Sequence, residues 1–102
     1  MSMNLFTPST ANTVALSVSG TTASSALADT SSGGGSRSVR IYNAATVTVF
    51  IQFGGSTVTA TTSNMPIPSG AVETFEVGSA TYIAGITAGT SGTLYVTSGR
   101  GA

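Results

Sequence analysis

The chain has 102 residues, enough for one small domain and too few for two ordinary ones. Only 6% of them are charged, against about 25% in an ordinary soluble domain, and three arginines cancel three carboxylates. Little colloidal repulsion remains, which favours association over a free cytosolic existence. Cysteine and histidine are absent, which excludes a disulfide framework, thiol chemistry and the commonest metal ligands.

Residues 1–36 read as a flexible N-terminal arm. They are rich in Ser, Thr and Ala and end in "DTSSGGGS", a linker by composition. One strand is possible at 13–19, where Val14, Leu16 and Val18 alternate with Ala15, Ser17 and Ser19. Two readings stand side by side. One is a disordered tail with a sticky patch; the other is a strand that adds to a sheet edge, in its own domain or a neighbour's. "TTASSALAD", from Thr21 to Asp29, reads as loop. The opening "MSMNLFTPSTANTVALSVSG" has neither a basic stretch nor a long apolar run, so no secretory signal is expected. No segment approaches the roughly 20 apolar residues of a membrane span, and synthesis in a cytoplasm is expected.

Residues 37–102 read as the folded domain. Hydrophobic residues make up 40% of the chain and alternate from Val39 onward, which argues against disorder there. The predicted strands are Ser38–Asn43, Thr46–Phe53, Thr57–Thr61, Val72–Val77, Thr81–Ile86 and Thr93–Thr97. Asn43 starts a turn, Gly54-Gly55 allows a hairpin, and Pro66 and Pro68 keep "NMPIPSG" off any central ladder. No helical period survives, and Val, Ile, Thr, Phe and Tyr fill the strands. The expected fold is all-β, a small antiparallel β-sandwich or jelly-roll-like barrel with an extended N-terminal arm. Thr46–Phe53 reads as a central strand. Val47, Val49, Ile51 and Phe53 face the core, and Phe50 faces the other way, under the arm or another subunit.

Catalysis is not expected. Glu73 and Glu76 lie three apart on a strand and point to opposite faces, so they cannot act as a pair. Serines abound, but no His or Lys is present to activate one. "GGGS" lacks the lysine of a phosphate-binding loop. No cofactor and no metal are expected. Arg37 and Arg40 with Tyr42 fall far short of a basic, aromatic stripe, so nucleic acid is not an expected partner. The two arginines read instead as partners of acidic groups on a neighbour or on the same sheet. The Thr-X-Thr runs lack the fixed repeat of an ice-binding solenoid and read as ordinary strand formers.

The stretches "VRIYNAATVTVFIQFGG", "MPIPSGAVETFEV" and "TYIAGITAGTSGTLYVTSGRGA" occur in that order from Val39 to Ala102. In that order they resemble small β-rich structural proteins of tailed-phage virions. The resemblance covers roughly two-thirds of the chain and leaves out residues 1–36. It implies a virion component, a capsid decoration or cement protein that binds the major capsid protein, often as a homotrimer. A head–tail joining, tail-associated or head-fibre base protein is the alternative within that class. A surface adhesin or carbohydrate-binding sandwich, stacking sugars on Tyr42, Tyr82 and Tyr95, is the alternative of another class. The residues expected to meet a partner are Val14, Leu16 and Val18 of the arm, then Arg37, Arg40 and Phe50. On this reading residues 37–102 stay folded when residues 1–36 are deleted.

Overall fold

A computed structural model describes residues 7–27 and 37–100, with residues 7–12 given as backbone only. Eight strands follow one another: β1 (Thr7–Val18), β2 (Ala23–Ala26), β3 (Arg37–Asn43), β4 (Val49–Gly54), β5 (Met65–Ile67), β6 (Val72–Glu76), β7 (Tyr82–Ile86) and β8 (Gly92–Arg100). No helix occurs among the described residues. The strands form two four-stranded antiparallel sheets, in the orders β1-β8-β3-β6 and β2-β7-β4-β5.

The pairing has a simple logic. β1 pairs with β8, β2 with β7, β3 with β6 and β4 with β5. The first four strands thus run back along the last four as one long folded ribbon. Pairing of β3 with β8 and of β4 with β7 then rolls that ribbon into two facing layers. This is the strand order of a double-sheet jelly roll.

Side-chain alternation explains why the layers face each other. Val39 and Ile41 of β3, Val49 and Ile51 of β4, and Leu94 and Val96 of β8 are all buried, at two-residue spacing. Ile67, Ile83, Leu16 and Val18 complete the core between the sheets. Gly85 of β7 lets the layers close. A Cβ there would lie 2.9 Å from Val18 Cγ1 and 3.4 Å from Leu16 Cδ2. Phe53 and Phe75 bridge the two sheets at one margin, with ring centroids 5.9 Å apart.

β1 and β2 both lie before residue 37, so residues on either side of the 36/37 boundary supply strands to both sheets. The strand of the arm adds to its own domain's sheet edge, with Val14 opposite Val96 and Leu16 opposite Leu94. β2 falls inside the segment read as loop. Its "ASSA" sequence has small residues on both faces, so it carries no apolar period, and pairing with β7 makes it a strand. The expected strand Thr57–Thr61 does not form. A turn with Val58 N donating to Gly55 O closes it at one end. At the other, Thr61 N donates to Asn64 Oδ1 at 2.7 Å. Both flanks of β4 are already taken by β7 and β5, so no sheet edge is left for it there. Met65–Ile67, expected only to be extended, is a three-residue edge strand containing Pro66, an edge being where a proline is tolerated.

Asn43 fastens one end of the roll. It is fully buried, and its Nδ2 donates to Ile67 O at 2.8 Å and Val47 O at 3.1 Å. Its Oδ1 accepts from Ala45 N at 2.9 Å. Its backbone N donates to Ala71 O, and its carbonyl accepts from Gly70 N, where a φ of 77° suits glycine. The turn-starting role expected of Asn43 is therefore one part of a link between the β3–β4 and β5–β6 connections.

Candidate docking face

The outer face of the β1-β8-β3-β6 sheet follows from the same alternation. Since Val39 and Ile41 point inward, Arg40 and Tyr42 point outward; since Leu94 and Val96 point inward, Tyr95 and Thr97 point outward. Register then sets the rows across the strands. Ala15 lies opposite Tyr95, Tyr95 opposite Tyr42, and Tyr42 opposite Val72. A second row runs Thr13, Thr97, Arg40, Thr74.

The first row is apolar and open. Tyr42 is 43% exposed, Tyr95 41% and Val72 47%. These are three of the four large hydrophobic residues exposed among the described residues. The two tyrosine rings lie nearly parallel, at 11°, with centroids 6.1 Å apart, within the range of a favourable offset pair. Scattered single apolar residues on a surface are ordinary, whereas a contiguous group marks an interaction site.

The second row supplies the polar margin. Thr13 and Thr97 share a hydroxyl hydrogen bond of 2.7 Å. Arg40 is exposed and makes no ion pair among the described residues. The acidic partner expected for it is thus not supplied on the same sheet by the described residues. Glu73 stands opposite Ile41, on the core-facing side of β6, and so cannot reach over to Arg40. Arg37 has a different task. Its Nη1 donates to Gly78 O and Ala80 O, both at 2.8 Å, and so holds the β6–β7 turn against the end of β3. Both of these acceptors are backbone carbonyls.

The remaining residues expected at a partner lie elsewhere. Leu16 and Val18 are buried in the core of this chain, and Val14 is half-buried at the free edge of β1. Phe50 is half-buried on the outer face of the other sheet. It forms one wall of an open cleft of about 260 Å³ with Val47, Thr48, Ala88, Gly89 and Thr90. Among the described residues its neighbours there belong to the β3–β4 and β7–β8 connections. Of the six residues, only Arg40 lies beside the Tyr42–Tyr95 pair. The outward direction of both tyrosines was readable from alternation; their juxtaposition needed the register of β3 against β8.

Among the described residues, no group of three or more His, Cys, Asp or Glu side chains gathers into a metal site. No helix among them is long and apolar enough to cross a membrane. No protein-family model, no curated protein and no solved structure matches the chain.

Proposed function

We propose that this protein is a non-catalytic structural component of a virus particle. In this reading it docks on the assembled major capsid protein through the outer face of the β1-β8-β3-β6 sheet and stabilises the shell. The observation that carries the reading is the exposed row Ala15–Tyr95–Tyr42–Val72 beside the cation Arg40, on a domain with almost no other charge. An aromatic centre with a hydroxyl and arginine margin has the composition of a protein interface. The partner surface is apolar at its centre and carries a carboxylate opposite Arg40. Jelly rolls occur in capsid and lectin domains; that analogy is compatible with the reading and does not carry it. The resemblance of Val39–Ala102 to phage virion proteins supports the virion setting. Many copies on a symmetric shell turn a modest contact into a firm one.

The test uses particles stripped of the protein and purified full-length chain added back. Binding in hundreds of copies per particle is expected. Tyr42→Ala and Tyr95→Ala are each expected to weaken it about 30-fold, the loss of a roughly 2 kcal/mol aromatic anchor. Binding that ignores both substitutions would remove this face from the reading. A dozen or fewer copies per particle would move the protein to the head–tail or tail axis. Failure to bind shells, combined with binding to glycans through the same tyrosines, would favour the carbohydrate-binding alternative.

A further inference from the structure

We infer that the free edge of β1 pairs antiparallel with the same edge of a second copy, forming a two-fold dimer whose β1-β8-β3-β6 sheets join into one of eight strands. Two sheets have four edges, and three of them are blunted. β6 is five residues long and carries Glu73 and Glu76, Glu73 on the core-facing side. β5 is three residues long with Pro66 at its centre, and proline offers no N–H. β2 has only four residues. Short strands, prolines and inward-pointing charges are the devices that stop edge-to-edge pairing.

β1 has none of these over Thr13–Val18. It is 12 residues long and carries no charge. Its one proline, Pro8, is cut off from this stretch by a break in register between Pro8 and Thr13. The outward side chains Thr13, Ala15 and Ser17 are small and exposed, so among the described residues nothing obstructs a neighbouring backbone. On the inward side Leu16 and Val18 are buried, but Val14 is only half covered. An uncharged strand does not repel its own copy, which makes a second copy the fitting occupant.

Symmetry fixes the register. A two-fold perpendicular to the sheet keeps inward residues opposite inward ones, so it must pass through a residue and not between two. An axis at Ala15 sets Val14 against Leu16 of the partner subunit and Thr13 against Ser17 of the partner subunit. Apolar meets apolar and hydroxyl meets hydroxyl. An axis at Leu16 would set Ala15 against a serine. The Ala15 axis also makes the row Val72–Tyr42–Tyr95–Ala15 continuous with its mate. The inference is independent of what the outer face docks on.

The absence of native cysteine makes single-cysteine variants clean probes. Sedimentation of the full chain at 100 μM should give twice the 10.0 kDa chain mass. Ala15→Cys should form a disulfide dimer under mild oxidation, since facing residues on antiparallel strands lie within disulfide range. Thr74→Cys, exposed on the opposite edge strand, should not. Ala15→Lys should weaken dimerisation at least 100-fold. If circular dichroism shows that variant unfolded, Ser17→Lys takes its place with the same expectation. A monomer at 100 μM, a lysine variant of unchanged mass, or an oligomer that cross-links at Thr74 and not Ala15 would each overturn the inference. So would a trimer without the Ala15 cross-link.

Discussion

Replacing Asn43 with alanine isolates the polar link at the loop end of the roll. The side chain makes three hydrogen bonds, to Ile67 O, Val47 O and Ala45 N. The bonds to Ile67 and Ala45 are buried, and the one to Val47 is partly so. A buried group left without a partner costs about 1–3 kcal/mol, and a bond whose partner can reach water about 0.5–1.5 kcal/mol. The expected loss is therefore about 2.5–7.5 kcal/mol, against the roughly 5–15 kcal/mol that holds a domain of this size. Urea unfolding followed by circular dichroism reads it directly. With a slope of about 1.5 kcal/mol per molar for a small domain, the midpoint should fall by about 2–5 M. Asn43→Asp should be no milder, since it keeps the acceptor for Ala45 N, loses both donors and buries a charge. A midpoint within about 0.3 M of the parent for Asn43→Ala would refute the reasoning, because it would mean that the three backbone groups find other partners when the amide is gone.

Other perturbations test the packing. Val49→Asp and Ile51→Asp should each abolish folding, since both side chains are buried and the carboxylate would lack a partner. Thr48→Asp, on the rim of the cleft, should cost about 1 kcal/mol or less by the same denaturation assay. Gly92→Ala brings a methyl onto Ala45 Cβ and within 3.1 Å of Ala45 Cα. Overpacking there should cost about 1–3 kcal/mol, visible as a fall in melting temperature. Deleting residues 1–36 removes β1 and β2 and with them Leu16 and Val18 from the core, so the remainder should lose its cooperative melt. This reverses the outcome expected from sequence alone.

What could be read from the sequence followed from burial that is one-sided and strongly apolar. Val39/Ile41, Val49/Ile51 and Leu94/Val96 alternate with polar or aromatic neighbours, and β3, β4 and β8 were placed from them. β2 escaped because "ASSA" looks alike on both faces. Thr57–Thr61 misled because propensity is a local property, whereas a strand also needs an unoccupied edge. The same holds for the docking face. Alternation turned Tyr42 and Tyr95 outward, but only long-range register set one against the other. Its neighbours in sequence mark Asn43 as a turn starter, while its amide's decisive partner, Ile67, lies on another strand. Alternation marks Leu16 and Val18 as an apolar strand edge, and the core they enter is assembled from residues far along the chain.

The position of β8 between β1 and β3 has a consequence for synthesis. Roughly 70 residues separate the end of β1 from the start of β8, and at about 5–20 residues per second a ribosome takes about 4–14 s to add them. Throughout that interval β8, one of the sheet's two interior strands, does not yet exist, and β1 has neither its ladder partner nor the complete core its side chains enter. So distant a pairing also makes for slow closure once the strand emerges. The alternating Val14, Leu16 and Val18 therefore spend the early life of each chain unpaired, beside other nascent copies on the same message. A chain stalled before Gly92 would keep that segment available to chaperones and to its neighbours alike.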